Sequence, residues 1–439
     1  MTKTTPIDTV LSEAGTGPFQ RRLLGIFGLV WAADAMQVLA VGFTAASIAA
    51  SFGLTVPEAL QTGTLFFLGM LIGAALFGRL ADRFGRRNIL LITVSCDALF
   101  GLLSVFAPNF LVLLGLRFIT GVAVGGTLPV DYAMMAEFLP PRNRGRWLVL
   151  LEGFWAVGTV VVAIAAWITS ELATPDAWRW IFAVTALPAL IGVWLRLLVP
   201  ESPMHLLKAG RADEAKVVLN RMLRTNGKAE LSADIQIALP PPPTGADSPF
   251  SPALRRRTLL ILAVWFLVSV SYYGVFTWLP AQLATGGFGF VRGYGFLLVV
   301  ALAQIPGYAL AAYGVEAWGR RPTLIGFLIL SSVGCGLFVI AAEPVLIGTA
   351  ILLMSFALLG TWGALYAFTP ELYPTASRAT GMGAAGAMAR FAGLLAPSVL
   401  ALLVAQGLVL AIGLFAVLLL LAAIAAGFVN AETRQAALQ

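Results

Sequence analysis

Residues 78–87 read Gly-Arg-Leu-Ala-Asp-Arg-Phe-Gly-Arg-Arg, and residues 312–321 read Ala-Tyr-Gly-Val-Glu-Ala-Trp-Gly-Arg-Arg. Asp82, Gly85, Arg86 and Arg87 thus return as Glu316, Gly319, Arg320 and Arg321, displaced by 234 residues, the difference between 316 and 82. The same displacement carries Glu137, Pro140 and Arg144 onto Glu371, Pro374 and Arg378. Charged, glycine and proline positions recurring at one fixed spacing describe a duplicated unit.

The sequence around these loops is apolar. Of 439 residues, 59% are hydrophobic and 11% charged, against roughly 25% charged in a soluble globular domain. The apolar residues form blocks of about 20 or more, the length that crosses ~30 Å of hydrocarbon. Six blocks lie in the first half, at 21–49, 58–80, 87–106, 110–136, 147–170 and 178–198. Six more lie at 257–283, 289–313, 322–341, 344–369, 379–404 and 407–429. The expected fold is an all-α membrane protein with twelve transmembrane helices in two pseudo-symmetric six-helix bundles. Residues 1–200 form the first, 256–439 the second, and 201–255 a linker with an amphipathic helix.

Charge sets the orientation. With the N-terminus in the cytoplasm, 24 of the 28 lysines and arginines fall on the cytoplasmic side. The positive-inside rule then places both termini there, in a multi-pass protein of a cell (inner or plasma) membrane. The net charge of +7 reads as attraction to anionic lipid, and no nucleic-acid partner is expected. The polar N-terminus runs straight into a full-length span, unlike a cleavable signal peptide. Cys96 and Cys335 sit inside apolar blocks as small hydrophobes, and His205 is the single histidine. No metal, cofactor or enzymatic triad is expected from this set.

The loop 78–87 carries the signature between helices 2 and 3 of the major facilitator superfamily, which the chain resembles along essentially its whole length. Val199-Pro-Glu-Ser-Pro203 resembles an element of the sugar-porter and organic-ion branches. Ala32-Ala-Asp-Ala-Met36, Ala136-Glu-Phe-Leu-Pro140, Phe154-Trp-Ala-Val-Gly-Thr-Val160 and Trp178-Arg-Trp180 are similar to the synaptic-vesicle-protein-like branch, which includes niacin permeases. The resemblance implies alternating access by two rocking bundles, with helices 1, 4, 7 and 10 around a central cavity.

The repeated loop charges are candidate gating latches: Asp82, Arg86, Glu137, Arg144, Glu316, Arg320, Glu371 and Arg378. Gly78 and Gly85 are expected to allow a close helix approach there. Asp82 is placed to meet the N-terminal end of span 11, and Arg86 to reach Glu137 or another carboxylate of the same layer.

Charges inside the spans need a different reason, because burial in a bilayer costs at least ~2.5 kcal/mol at a helix centre. Asp34, Asp97, Arg117, Asp131, Glu152 and Arg390 have uncharged counterparts in the other half. Such asymmetry in a symmetric scaffold suits a solute or proton site. Asp34 and Arg390 both lie ~17 Å into their helices at 1.5 Å per residue, and are expected partners. Arg390 stands where related organic anion transporters carry a basic residue, which implies a carboxylate clamp. Arg117 opens Arg-Phe-Ile-Thr-Gly-Val-Ala-Val-Gly-Gly, which resembles the family's helix 4 motif and its coupling arginine. Proton coupling is assigned to Asp34, Arg117, Asp131 and Glu152, with the last two expected nearer the cytoplasm. For Asp97, on a helix that the resemblance makes peripheral, structural partnering of Arg117 and a direct role both stand open.

Solute contacts are expected from Asp34, Arg390, Trp31, Gln37, Tyr272, Tyr273, Phe276, Gln304, Trp362 and Tyr366. Aromatics with a few polar groups suit a flat, partly polar solute. The function expected is proton-coupled symport of a small organic acid, nicotinate being the best single example, by a monomer without cofactors. Sugar or organic-cation transport is the alternative, and a non-transporting receptor the alternative of another class. Span 5 lacks the Gly-Pro motif typical of proton antiporters.

Overall fold

The computed structural model describes residues 3–431 except 142–143, 173–175, 233, 240–247, 286–292, 374 and 405–406. The side chains of Asp82 and Arg378, two of the expected latch residues, lie outside the described set.

The first half opens with strand β1 (Lys3–Pro6) and helix α1 (Ile7–Ala14). Its spans are α2 (Pro18–Phe52), the short α3 (Val56–Ala59) leading into α4 (Gln61–Phe84), α5 (Arg86–Ser104) and α6 (Phe110–Glu137). Span 5 is divided into α7 (Arg144–Glu152) and α8 (Phe154–Glu171), and α9 (Ala177–Arg196) is span 6. A connecting segment holds α10 (Pro203–Lys208), α11 (Ala212–Thr225) and β2 (Ile235–Ala238). The second half runs α12 (Arg255–Thr285), a divided span of α13 (Gly293–Leu302) and α14 (Gln304–Ala317), then α15 (Arg320–Ile340), α16 (Pro344–Glu371), α17 (Thr375–Val404) and α18 (Leu408–Gly427).

Eleven helices among the described residues are long and apolar enough to cross a membrane. The 30-residue α17, packed between α12 and α4, takes the remaining place. The expected spans match these helices to within a few residues. The expectation did not include the breaks at Gly153 and Ala303, where two spans restart their hydrogen-bond ladder.

The two halves repeat one packing scheme. Spans 1 and 5, 2 and 4, 3 and 4, 3 and 6, and 1 and 6 touch in the first half. Their counterparts, 7 and 11, 8 and 10, 9 and 10, 9 and 12, and 7 and 12, touch in the second. The halves meet where α2 contacts α12, α4 contacts α17 and α8 contacts α13.

Glycine makes the tightest of these contacts possible. A Cβ on Gly69 would strike the Phe118 carbonyl and one on Gly121 the Phe66 carbonyl, so α4 and α6 meet backbone to backbone. Gly125 faces the Met70 carbonyl in the same way. In the loop, Gly85 has φ +94° and an added Cβ would lie 2.5 Å from Glu201 Oε2. Gly78 differs from expectation: nothing lies within 4 Å of an added Cβ, so it mediates no close approach.

The segment between the halves folds back on the chain start. The sequence between His205 and Thr225 reads as one helix, but Gly210 at φ +74° separates α10 from α11. Helix α11 buries Ala215, Leu219, Met222 and Leu223 and leaves its charged face exposed. Its end residue Asn226 accepts from Phe19 N at 3.1 Å and donates to the Ala14 carbonyl at 3.1 Å. Strands β1 and β2 pair in parallel, Lys3 opposite Ile235, a pairing with no local sequence signal.

Candidate functional site

The break in span 5 leaves Glu152 at the last turn of α7, pointing into the space between the halves. A cavity opens there, walled by side chains of both halves. The first half contributes Trp31 on α2, Met70 on α4, Leu128 on α6, Glu152 and Trp155. The second contributes Tyr272 and Tyr273 on α12, Tyr308 on α14, Leu359, Trp362 and Tyr366 on α16, and Ala389 and Arg390 on α17.

Helical periodicity builds these walls. Trp362 and Tyr366, four apart, share a face of α16 with ring centroids 5.8 Å apart. Trp265 backs both, at 5.3 and 4.9 Å, and donates from Nε1 to Thr369 Oγ1 at 2.9 Å. Tyr272 packs edge-on to Trp362 at 5.6 Å, and Tyr273 packs on Phe67 of the opposite half at 4.6 Å. The aromatic frame is therefore braced from both halves.

Several polar atoms in this frame have no partner among the described residues. Glu152 is buried and its Oε1 accepts no hydrogen bond among the described residues. Arg390 donates from Nη1 to the Gly386 carbonyl at 2.8 Å, one turn back on its own helix, and its Nε is unused. The indole nitrogens of Trp31 and Trp362 are likewise buried and unpaired. Buried polar groups normally find partners. One carboxylate oxygen and three N–H donors facing a single aromatic cavity are suited to a ligand that supplies them.

The expected solute contacts divide. Trp31, Tyr272, Tyr273, Trp362, Tyr366 and Arg390 line the cavity. Asp34 does not: it is fully buried, three residues past Trp31, and is absent from the wall. The expected Asp34–Arg390 pair also fails, because Arg390 forms no ion pair among the described residues. Similar distances along two helices do not decide which neighbours their side chains meet. Phe276 and Gln304 line a separate apolar space with Leu39, Phe43 and Thr159.

Gln37 belongs to a third place. It accepts from Arg117, side chain to Nη1 at 2.6 Å and carbonyl to Nη2 at 2.8 Å. The guanidinium lies between the rings of Phe66 and Phe182, at 4.6 and 4.7 Å, with Asp97 as its electrostatic counterpart. Gly101 makes room, since a Cβ there would lie 2.6 Å from Gln37 Nε2. Asp131 is fully buried on α6 and off the wall. Glu152 stands on the cavity wall with Arg390.

Sequence reading missed Trp155, Tyr308, Met70, Leu128, Leu359 and Ala389. Two of these carried a signal. Tyr308 follows Gln304 by four residues, and Trp155 lies in the quoted Phe154–Val160 motif.

The loop charges pair within each half. Arg86 Nη2 lies 2.9 Å from Glu137 Oε1, and Ser202 Oγ donates to the same carboxylate. In the second half Arg320 meets Glu371 at 3.1 Å and Glu316 at 2.9 Å. Arg144 donates to the Leu139 carbonyl and lies 3.7 Å from Asp8, and the withdrawal of its guanidinium from water lowers its proton affinity.

Residues 25–397 match the model of the Major Facilitator Superfamily. The chain belongs to that family. As a family member it is a multi-pass membrane transporter. The niacin transporter NiaP of Acinetobacter baylyi is 37% identical over 388 residues, covering 87% of each chain. The synaptic vesicle 2-related protein of Xenopus laevis is 30% identical over 99% of this chain and 82% of its own. Among solved structures, the xylose transporter XylE from E. coli in a partially occluded inward open conformation superposes with a TM-score of 0.74 at 19% identity, covering 94% of this chain and 98% of that one. The facilitator fold accounts for the paired packing scheme and for a cavity shared by the two halves.

Proposed function

We propose that this transporter carries a small aromatic monocarboxylate of the nicotinate class, in symport with protons, by alternating exposure of the cavity. The observation that carries the reading is Arg390, a guanidinium with unused donors on the wall of an aromatic cavity between the halves. Arg390 takes the carboxylate in a charge-assisted, bidentate contact, with the Trp31 or Trp362 indole N–H as an additional donor. The rings of Tyr272, Tyr273, Trp362 and Tyr366 stack on the solute. The likeness to the niacin transporter supports the same class.

In this reading both termini and the 201–255 linker lie in the cytoplasm, between six-helix units at 1–200 and 256–439, and the working unit is a monomer. The Arg86–Glu137 and Arg320–Glu371 pairs, with Asp82, Glu316, Arg144 and Arg378, bias the closed state of the cytoplasmic side. Asp34, Asp131 and Arg117 form the buried polar part of the coupling pathway. Uptake of radiolabelled nicotinate into proteoliposomes tests the whole: accumulation driven by an inward proton gradient is expected, and equal uptake with and without it would remove proton coupling.

Glu152 favours a second reading, because an unpaired carboxylate in an aromatic cavity also suits an organic cation. Amines in the same uptake panel separate the two. Transport of amines and not of acids would install the cation reading.

A further inference from the structure

We infer that Glu152 is the residue that reads the ring of the solute, acting in its protonated form, and that it delivers the coupled proton as part of the solute contact. This rests on the aromatic-acid reading above and adds to it a second recognition point and the location of the proton.

The geometry sets the terms. Glu152 and Arg390 face one cavity from opposite halves and form no ion pair with each other. A ligand anion that occupies Arg390 leaves Glu152 beside it in a space walled by aromatic rings. Two negative groups enclosed there repel, and an isolated carboxylate in such surroundings is costly. A proton on Glu152 removes both penalties and turns an acceptor into an O–H donor. A flat ring whose carboxylate sits on Arg390 then presents its far edge to Glu152. An unprotonated ring nitrogen on that edge is an acceptor that a protonated carboxyl satisfies. A plain benzene ring offers nothing to it.

The groups facing Glu152 do not supply the proton's counterpart. They are Tyr272 and Tyr273 on α12, Tyr308 on α14, Tyr366 on α16, Tyr132 on α6 and the cation Arg390 on α17. Asp131 on α6 and Asp34 on α2 are buried off the wall, and among the described residues α9 and α13 place no titratable side chain on it. Tyr272 already accepts from Trp155. No covalent step is involved. The carboxyl keeps its proton while donating to the ring, and one proton enters and leaves with each solute.

The test is binding of nicotinate and of benzoate to purified wild-type, Glu152→Gln and Glu152→Ala protein across pH. Calorimetry in buffers of different ionisation enthalpy counts the protons taken up. The wild type is expected to prefer nicotinate over benzoate by about tenfold or more, since a site that offers a donor discriminates against a ring with no acceptor. Its nicotinate Kd should rise about tenfold per pH unit once Glu152 ionises in the free protein, with one proton taken up on binding there. Glu152→Gln keeps an N–H donor, so the ring preference should persist while pH dependence and proton uptake disappear. Glu152→Ala should lose the preference. Each comparison is a ratio of dissociation constants, so a smaller folded fraction does not mimic the result. An unchanged nicotinate-to-benzoate ratio in Glu152→Ala overturns the ring contact, and unchanged proton uptake in Glu152→Gln overturns the proton assignment. Failure of nicotinate to bind the wild type at any pH instead overturns the aromatic-acid reading on which both depend.

Discussion

Trp155 Nε1 donates to Tyr272 Oη at 2.7 Å, and the bond crosses from one half of the molecule to the other at the edge of the central cavity. Trp155 opens α8 just after the break that positions Glu152, while Tyr272 lies midway along α12. A bond between rocking units exists only in those states that bring them together. It is therefore a term in the conformational equilibrium as well as a packing contact.

Trp155→Phe keeps most of the ring volume and deletes the bond. A neutral hydrogen bond contributes about 0.5–1.5 kcal/mol net, so the population of the state that holds it should fall by up to about tenfold. Distances between spin labels on the two halves report the shift. An unchanged distance distribution would show that the bond persists, or is replaced, in every state.

Arg390→Ala should weaken binding of an aromatic acid by about 1.5–3 kcal/mol, the range for a hydrogen bond to a charged group, and weaken its amide much less. Arg390→Lys should restore little, because a point charge does not reproduce the guanidinium fork. Binding of the acid and the amide to purified variants decides this. Equal loss for both would assign Arg390 a role in holding the bundle, and sugar or cation transport would then become the better reading.

Gln37→Leu removes the Oε1 acceptor from the fully buried Arg117 while leaving the Gln37 carbonyl in place. The expected cost is about 1.5–3 kcal/mol of stability, seen as a lower Tm in detergent. The ratio of nicotinate to benzoate affinity should not change, because Gln37 is not on the cavity wall. A changed ratio with normal Tm would return Gln37 to the solute site.

The loop pairs call for a cycle. Glu137→Gln and Arg86→Gln should each shift cysteine accessibility of the two vestibules in the same direction, and the double variant should shift it no further than either alone, since both remove one pair. Asp82→Asn should act likewise while leaving intrinsic solute affinity largely intact. Additive shifts from Glu137→Gln and Arg86→Gln would mean that the two charges act through different partners.

The twelve-helix fold was legible in the chain because its causes are local. A block of about 20 apolar residues must span hydrocarbon wherever it sits, and the 234-residue repeat of Asp82–Arg87 and Glu137–Arg144 needs only two loops to be compared. Gly121 and Gly125 stand four apart, on one helix face, and both meet the backbone of α4. The amphipathic pattern of α11 was likewise readable, although the left-handed turn at Gly210 was not.

The site was a matter of tertiary structure. Trp31, Asp34 and Gln37 stand on successive turns of one helix, yet Trp31 lines the cavity, Asp34 is buried away from its wall and Gln37 holds Arg117. Depth along a helix follows from residue number at 1.5 Å per residue, but the side a residue presents is settled by which neighbours pack against it. Glu152 and Arg390 lie 238 residues apart, and only the docking of α7 and α17 around one space makes them co-occupants of a cavity. Sequence determined that charge was buried in the membrane and in which half. The packing of the two halves decided which of those charges were left without a partner, and an unpartnered buried charge is what a ligand or a proton can satisfy.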